Sequence, residues 1–226
     1  ANGGSGAPSQ QTKTYGQNLT LSSTVPTRTG YTFQNWNTKA DGSGTSYAKG
    51  GTYTTNAAAT LYAQWKINTY TITYNANNGS GAPTAQTKTY NVALTLSSTK
   101  PTRTGYTFQN WNTAANGSGT TYASGASYTA NAAATLYAQW TANQYNITYK
   151  DKGNVTFSGT HASGYPTKHT YGNVTTLDSP TKIGYTFNGW FLDENFTTQI
   201  TKIDSTNSKN ITLYAKWESQ NTNYFD

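Results

Sequence analysis

Gly105-Tyr-Thr-Phe-Gln-Asn-Trp111 belongs to a pattern that occurs three times along the 226-residue chain, and this repetition determines its architecture. The same Gly-Tyr-Thr-Phe begins at Gly30 and at Gly184, and a tryptophan follows each time, at Trp36 and at Trp190. A second pattern closes each copy. Leu-Tyr-Ala-x-Trp occupies residues 61–65, 136–140 and 213–217.

The chain is therefore built from internal repeats. Residues 1–65 align without a gap with residues 76–140, and 51 of the 65 positions are identical. A diverged third copy runs from Tyr145 to Trp217. Self-similarity at a fixed period is the signature of a repeat architecture. It predicts repeat 1 at 1–65, repeat 2 at 66–140 and repeat 3 at 141–217, with 218–226 as a tail or the start of a further segment.

The opening strand of a repeat is clearest in repeat 2. Tyr70, Ile72 and Tyr74 alternate with threonines, and this period of two predicts a strand with one face on the core. Repeat 3 opens similarly with Tyr145-Asn-Ile-Thr-Tyr149, whereas repeat 1 begins at Ala1, past the position of this strand. A sheet without a strand presents an unpaired edge. Repeat 1 is expected to be trimmed, completed by another chain, or frayed.

Further strands are predicted in each repeat by short runs of apolar and β-branched residues between Gly- and Pro-rich turns. In repeat 2 they are residues 87–90, 94–96, 106–111 and 136–140. Asn131-Ala-Ala-Ala134 is the best helix candidate, but so short a run forms at most one turn. The linkers from Trp65 to Tyr70 and from Trp140 to Tyr145 lack Gly and Pro. We expect a mainly β, elongated and semi-rigid array with little helix.

A β-bulge is predicted just before the first tryptophan of each repeat. Strict alternation would send Tyr106 and Phe108 to one face and Trp111 to the other, and one extra residue returns the indole to the core. Asn35, Asn110 and Gly189 precede the three tryptophans. Because Asn and Gly tolerate positive φ best, the same unusual backbone is expected in all three copies.

These patterns resemble the Listeria-Bacteroides repeat family, which includes the B repeat of internalin B. The resemblance covers nearly the whole chain, and Gly184-Tyr-Thr-Phe-Asn-Gly-Trp190 is nearest to the family pattern. It implies compact β-grasp-like (ubiquitin-like) repeats of bacterial surface proteins, which serve as stalk, spacer or interaction module. It also implies that the chain carries no family-wide catalytic residues.

Composition limits the chemistry. The chain contains no cysteine or methionine, and 10% of its residues are charged, so disulfides, thiolate metal sites and thiol nucleophiles are excluded. Residues 1–140 carry eight basic residues against the single acid Asp41, while 141–226 carries seven of each. The basic residues are dispersed, which favours a solvated face over nucleic-acid binding; weak attraction to anionic wall polymers is the alternative.

The few acids and histidines are the candidates for a catalytic or metal site. Asp193 and Glu194 are adjacent, which is more typical of a solvated loop than of an acid–base pair. His161 and His169 both fall in repeat 3 without the spacing of a zinc site or a nucleophile triad, and are interpreted as ordinary histidines. Asp41-Gly-Ser-Gly-Thr45 resembles a calcium loop, but Asn116 replaces the acid in repeat 2, which favours a turn. No catalytic, metal or cofactor residues are predicted.

Two hypotheses concern surface side chains. Gln64 and Gln139 invite an intramolecular crosslink, but Lys216 replaces them in repeat 3, which favours solvent exposure. Tyr47 and Tyr122 are the tyrosines expected to be most exposed and so able to stack on sugars, although most aromatic rings are needed to fill the core.

The expected function is a non-catalytic stalk at the extracellular surface, cell-wall associated or secreted. The alternative is an adhesion module for host protein, glycan or wall polymer. No nucleic acid and no transmembrane segment are expected, and the chain is expected to be a monomer or a strand-exchanged assembly through repeat 1.

Overall fold

The computed structural model describes residues 1–220 and is nearly all β. Within that part of the chain the one helical element is the 3₁₀ turn Lys152–Asn154, and none of its helices is long and apolar enough to cross a membrane. The mainly β prediction is confirmed, and residues 131–134 form no helix. The β-grasp assignment stays a prediction, and Asn223–Asp226, considered as the start of a further copy, lies outside the described residues.

Short strands make up each repeat. Repeat 1 contains β1 Leu19–Thr20, β2 Tyr31–Asn37, β3 Ser46–Tyr47, β4 Thr52–Tyr53 and β5 Tyr62–Ile67. Repeat 2 contains β6 Thr69–Asn75, β7 Gln86–Thr89, β8 Leu94–Thr95, β9 Tyr106–Asn112, β10 Thr121–Tyr122, β11 Ser127–Tyr128 and β12 Ala134–Ala142. Repeat 3 contains β13 Gln144–Asp151, β14 Val155–Thr156, β15 Lys168–Thr170, β16 Thr175–Thr176, β17 Tyr185–Phe191, β18 Gln199–Ile200, β19 Lys202–Ile203 and β20 Ile211–Ser219.

The chain divides into two compact units, and the division passes through repeat 2. The first unit holds residues 1–74, 84–98 and 124–136, and the second holds 75–83, 99–123 and the chain from Tyr137 onward. In the first unit β6 pairs antiparallel with β7 and lies beside β12, where the Thr73 and Thr135 hydroxyls are 2.9 Å apart. In the second unit β9 pairs with the later part of β12 and with β10.

Repeat 3 lies entirely in the second unit and shows the complete topology. Its first strand, β13, runs parallel to its last, β20, with Ile147 opposite Ile211 and Lys150 opposite Tyr214. β20 pairs antiparallel with β17, and β15 pairs antiparallel with the start of β13. The alternation predicted for the first strand is confirmed by burial, because Ile147 is a core residue of repeat 3 and Ile72 is fully buried in repeat 2.

Repeat 1 has no counterpart of β6 or β13. Its main sheet has the order β3-β2-β5, so β5 is an edge strand, and β1 pairs with β4 alone. Its core nevertheless persists, because Trp36 and Tyr53 are only 5% and 6% exposed. Repeat 1 therefore keeps its buried aromatic residues while β5 stands at the edge of its sheet.

The predicted bulge is present in all three repeats. Phe33 faces Trp65 and Asn35 faces Gln64, so β2 has one more residue than β5 between these two pairs. The same change of register lies between Phe108 and Asn110 in repeat 2 and between Phe187 and Trp190 in repeat 3. The expectation of positive φ is wrong for Asn35 and Asn110; only Gly189 has it, at 108°. A bulge can be made with its extra residue near the right-handed region, so asparagine there needs no left-handed backbone.

The bulge brings three aromatic rings together in each repeat. In repeat 3 the Phe187 ring lies 5.2 Å from the Trp190 ring and 5.3 Å from the Trp217 ring, both edge to face. Phe33 and Phe108 make the equivalent pairs in repeats 1 and 2, at 5.1 to 6.0 Å. Edge-to-face pairs add to the stabilisation from burial. The two tryptophans of a repeat therefore pack against the same phenylalanine ring.

The second tryptophan of repeats 1 and 2 also fixes a glycine-rich turn. The Trp140 indole nitrogen donates hydrogen bonds to the carbonyl oxygens of Ala76 (3.0 Å) and Asn77 (2.9 Å). The turn lies so close that a side chain on Gly79 would place its Cβ 2.5 Å from the indole. Glycine is needed here because the backbone lies directly against the ring.

Candidate functional site

The acids considered for catalysis hold loops together. The Asp193 carboxylate accepts hydrogen bonds from the backbone nitrogens of Asn195, Thr197 and Thr198 at 3.0 to 3.1 Å, and from the Thr197 hydroxyl at 2.7 Å. The Thr197 hydroxyl and backbone bonds hold the pKa of Asp193 below its usual value. A carboxylate so bound favours its charged form, which is poorly suited to a general acid.

The loop that resembled a calcium site is a turn. The Asp41 carboxylate accepts hydrogen bonds from the Ser43 backbone nitrogen (3.0 Å) and hydroxyl (2.8 Å), which lower its pKa. Asn116 makes the same two bonds to Ser118, at 3.1 and 2.7 Å. Because the amide reproduces the contacts of the acid, the position is explained by turn formation in both copies.

Sequence reasoning missed the residue that organises this loop, which is the buried asparagine that ends the bulged strand. The Asn112 amide donates hydrogen bonds to the Gly117 carbonyl, the Gly119 carbonyl and the Thr121 hydroxyl at 3.1 to 3.2 Å. Its carbonyl oxygen accepts from the backbone nitrogens of Ala114 and Gly119, both at 2.9 Å. Its identity in repeats 1 and 2 as Asn37 and Asn112 was the available signal.

The two histidines occupy different environments. His161 stacks on Tyr165 at 3.8 Å, and its Nδ1 is 2.9 Å from an oxygen of Asp178. His169 is fully buried, with its Nδ1 2.9 Å from the Thr175 hydroxyl. Across residues 1–220, no three histidine or acidic side chains cluster as a metal ion requires. The two histidines thus pack against different side chains, His161 against Tyr165 and His169 beside Thr175.

His169 occupies the position of a buried lysine. Both Lys88 in repeat 2 and His169 in repeat 3 face the first tyrosine of the opening strand. The Lys88 side chain is fully buried, and its ammonium donates to the Thr89 carbonyl (2.7 Å) and the Asn131 side chain (3.1 Å). Burial disfavours a charged imidazole, and it lowers the pKa of His169 below its ordinary value of 6.5.

Repeat 3 should therefore lose stability on mild acidification. Because the pKa of His169 is lower in the folded chain, the unfolded chain binds the proton first as the pH falls. The contribution of neutral His169 to stability is therefore fully present above about pH 6.5, and it is lost as the pH drops toward the folded-state pKa. Hydrogen–deuterium exchange should accelerate in repeat 3 between pH 7.5 and 5.5, after correction for intrinsic rates. Repeats 1 and 2, which lack histidine, are the internal reference. Equal sensitivity in a His169→Gln variant would contradict the assignment.

The glutamines considered for a crosslink and the tyrosines considered for sugar stacking make contacts within their own repeats. The Gln64 amide donates to the Lys39 and Ala40 carbonyls at 3.3 and 3.4 Å, and Gln139 makes the equivalent bonds in repeat 2. Tyr47 and Tyr122 are half-buried rather than the most exposed tyrosines. The Tyr47 ring packs 5.4 Å from the buried Tyr53, and this core contact accounts for the difference. Tyr15, at 86% exposed, is the most exposed tyrosine among the described residues.

At the junction between repeats 1 and 2, a tyrosine ring of repeat 2 packs against a glycine and a tyrosine of repeat 1. The Tyr90 ring lies 6.4 Å from the Tyr31 ring. A side chain on Gly30, whose φ is +78°, would place its Cβ 2.2 Å from Tyr90. The Arg28 guanidinium lies 3.9 Å over Tyr31, a favourable cation–π distance. Gly30 is thus required both by its backbone and by the ring that covers it.

Repeats 2 and 3 meet through the same set of residues, which lie within the second unit. The Tyr171 ring lies 5.5 Å from the Tyr106 ring and covers Gly105, where an added Cβ would be 2.3 Å from it. The Arg103 guanidinium lies 3.7 Å over Tyr106. Two basic residues that the sequence suggested were simply solvated, Arg28 and Arg103, are therefore part of the junctions.

A linker asparagine completes each junction. The Asn68 backbone nitrogen donates to the Gly30 carbonyl (2.9 Å), its carbonyl accepts from the Tyr90 nitrogen (3.0 Å), and its side chain accepts from the Thr32 hydroxyl (2.7 Å). Asn143 repeats these three contacts with Gly105, Tyr171 and Thr107. The linkers thus attach to both repeats that they connect.

The junction residues have counterparts at the outer repeats. Tyr15 is the repeat 1 equivalent of Tyr90 and is exposed. At repeat 3, Gly184 and Tyr185 correspond to Gly30 and Tyr31, the Lys182 ammonium lies 4.5 Å over Tyr185, and no described residue lies within 4 Å of a Cβ at Gly184. The signal for this site was in the sequence: one tyrosine and one Gly-Tyr pair recur at fixed positions in three copies.

This combination of repeated β sheets and repeated junctions defines a tandem-repeat protein. The chain belongs to the Listeria-Bacteroides repeat family, whose model matches residues 1–64, 70–139 and 145–216. The resemblance inferred from the sequence is thereby confirmed.

Relatives include two proteins of Evansella cellulosilytica. One, provisionally named a Gly-rich membrane protein, is 36% identical over 84% of this chain and 22% of its own length. The other, provisionally named a membrane protein, is 32% identical over 72% of this chain and 23% of its own. Internalin H of Listeria monocytogenes is 37% identical over 53% of this chain and 20% of its own. The chain spans about a fifth of the length of each.

Proposed function

We propose that the chain is a non-catalytic stalk segment of a bacterial cell-surface protein, which holds another domain away from the cell envelope. The observation that carries this proposal is the repetition of one junction, in which a tyrosine covers a glycine and a linker asparagine bonds to both repeats. The names of the relatives, a membrane protein and an internalin, support a surface location.

The junction suits a spacer because it restricts how consecutive repeats can rotate about their linker. At each junction two backbone hydrogen bonds and one side-chain bond fix the asparagine, and the tyrosine ring fills the space above the glycine. Neighbouring repeats in solenoid-like arrays contribute through such interface contacts. Identical junctions also allow copies to be added without new contacts.

Non-catalytic action is supported by the bonding of the side chains that could do chemistry. Asp193 braces a loop, His169 is buried beside Thr175, and Asp41 forms a turn that Asn116 reproduces. The alternative proposal is an adhesion module for host protein, glycan or wall polymer. The two tyrosines considered for sugar stacking, Tyr47 and Tyr122, are half-buried.

Adding copies of repeat 2 should lengthen the protein by a constant step. Chains with one and two extra copies of residues 66–140 inserted after Trp140 are expected to show equal increments in maximum dimension by small-angle X-ray scattering, because each copy forms the same junction. A Tyr90→Ala variant, which removes one junction ring, should broaden the distance distribution. A second copy that adds no length would sink the stalk proposal.

The adhesion alternative has a separate test. Glycan arrays and cell-wall pulldowns with the whole chain should give no specific signal if the segment is a spacer. Saturable micromolar binding that competes with free ligand would favour the adhesion module instead.

A further inference from the structure

The sequence Asn-Gly-Ser-Gly occurs twice in repeat 2, at residues 78–81 and 116–119. In an Asn-Gly pair the backbone nitrogen of the glycine can attack the side-chain carbonyl carbon of the asparagine, because the glycine has no side chain to hinder the approach. Both asparagines are exposed to water. In both copies the glycine nitrogen donates to a preceding carbonyl at 3.0 Å: Gly79 to Ala76, and Gly117 to Ala114. The two sites therefore share the same attacking group and the same local sequence.

The two sites differ in the partner of the serine. The Ser118 backbone nitrogen and hydroxyl both donate to the side-chain oxygen of Asn116, at 3.1 and 2.7 Å. At the other site the Ser80 backbone nitrogen donates to the Thr102 carbonyl at 2.8 Å, and the two hydroxyls of this pair lie 3.4 Å apart. The serine therefore polarises the side-chain carbonyl of Asn116, whereas beside Asn78 it is bonded to Thr102.

Two donors on the Asn116 oxygen favour attack at its carbon. As the Gly117 nitrogen adds to Cγ of Asn116, negative charge develops on the oxygen that Ser118 already contacts, and donors at such a position lower the barrier of acyl transfer. The bond from Cγ to the Gly117 nitrogen forms, and the bond from Cγ to Nδ2 breaks. The Gly117 N–H proton passes to hydroxide, and the side-chain nitrogen leaves as ammonia. Water then opens the resulting succinimide ring, which leaves an aspartate at position 116.

Repeat 1 shows that this loop accepts an acid. Asp41 stands at the position of Asn116, and its carboxylate accepts the equivalent bonds from the Ser43 backbone nitrogen (3.0 Å) and hydroxyl (2.8 Å). Hydrogen bonds to an ionised acceptor are stronger than those to a neutral amide. Deamidation of Asn116 would therefore keep the contacts of the turn and strengthen them.

Ring opening can give two products, and the loop distinguishes between them. Attack of water on Cγ gives an ordinary aspartate, whereas attack on the backbone carbonyl carbon gives a β-linked residue with an extra methylene in the main chain. The buried Asn112 side chain holds the main chain just beyond this point, because it donates to the Gly117 carbonyl (3.1 Å) and accepts from the Gly119 nitrogen (2.9 Å). An added methylene would displace both groups from Asn112, so the folded loop favours the ordinary aspartate.

We propose that Asn116 is a site of spontaneous deamidation in the folded chain, promoted by Ser118, and that the loop directs the product to an ordinary aspartate. Repeat 2 thereby acquires the acidic loop that repeat 1 has in its sequence. Because residues 1–140 carry eight basic residues and the single acid Asp41, the conversion adds a second acid to this basic part of the chain. The inference does not depend on the stalk proposal.

Peptide mapping of the whole chain by mass spectrometry, during incubation at mildly alkaline pH, tests the proposal. In the folded chain Asn116 should deamidate roughly tenfold faster than Asn78, because two hydrogen bonds stabilise its reacting oxygen. In urea the two asparagines should react at similar rates, since both lie in Asn-Gly-Ser-Gly. Equal rates in the folded chain, or a faster reaction at Asn78, would overturn the proposal.

Variants of the serines separate the hydroxyl contact from the shape of the loop. In a Ser118→Ala chain the rate at Asn116 should fall roughly fivefold, the value of one net hydrogen bond. A Ser118→Thr chain retains a hydroxyl and should react at nearly the parent rate. Ser80→Ala is the matched control and should leave the rate at Asn116 unchanged, because Ser80 bonds to Thr102. An unchanged rate in Ser118→Ala, or equal losses in the alanine and threonine variants of Ser118, would refute the role of the hydroxyl.

The products are separated by chromatography beside synthetic peptides of either linkage. At position 116 the folded chain should give mainly the ordinary aspartate, and the denatured chain should give mainly the β-linked product, the usual outcome for an unconstrained succinimide. An Asn116→Asp chain supplies the product directly, and its chemical denaturation midpoint should equal or exceed that of the parent. A mainly β-linked product in the folded chain, or a lower midpoint for Asn116→Asp, would show that the loop does not select the aspartate.

Discussion

A Trp190→Ala variant is expected to unfold repeat 3 while leaving repeat 1 folded. Trp190 is 2% exposed, and its indole nitrogen donates to the Asp178 carbonyl at 2.8 Å. Its ring also contacts Tyr149 at 4.8 Å and Phe187 at 5.2 Å. Removing a buried tryptophan costs about 3–5 kcal/mol, which is comparable with the whole stability of a small domain.

Urea denaturation monitored by hydrogen–deuterium exchange along the chain measures this effect repeat by repeat. A Trp217→Phe variant is the control, because a ring beside Phe187 is retained while the 2.9 Å bond from the indole to Asp151 is lost. It should cost about 1–2 kcal/mol. The core assignment would fail if both variants destabilised repeat 3 equally.

The second large loss of folding stability is expected for an Asn112→Ala variant in repeat 2. Asn112 is 1% exposed and makes five hydrogen bonds with the loop that follows β9. Alanine would leave buried backbone groups without partners, each at a cost of about 1–3 kcal/mol. We therefore expect the free energy of unfolding to fall by about 3 kcal/mol, with loss of protection in residues 113–121 first.

Asn116→Ala is the matched control in the same loop. Asn116 is exposed, and its side chain bonds only within the turn to Ser118, so the free energy should change by about 0.5–1 kcal/mol. A shift in chemical denaturation midpoint as large as that of Asn112→Ala would show that the loop does not depend on its buried amide.

The parts of the fold that were predictable are those decided by local pattern. Alternation identified the opening strand at Tyr70–Tyr74, and the spacing of Phe108 and Trp111 required a bulge, both of which the structure contains. In each case the information lies within a few consecutive residues or in the repeat itself.

The parts that were missed depend on contacts between distant residues. Tyr15 and Tyr90 are equivalent in sequence, yet one is exposed and the other covers Gly30. Lys88 is fully buried although lysine is usually exposed, because Thr89 and Asn131 satisfy its ammonium. Neither outcome follows from residue type, and each is decided by what the surrounding chain places next to the side chain.

The parallel pairing of β13 with β20 has a mechanical consequence. The chain enters repeat 3 at one end of this pair of strands and leaves it at the opposite end, since the two strands run in the same direction. Tension along the polypeptide therefore loads the backbone hydrogen bonds between them in shear, so that they resist together instead of opening one at a time.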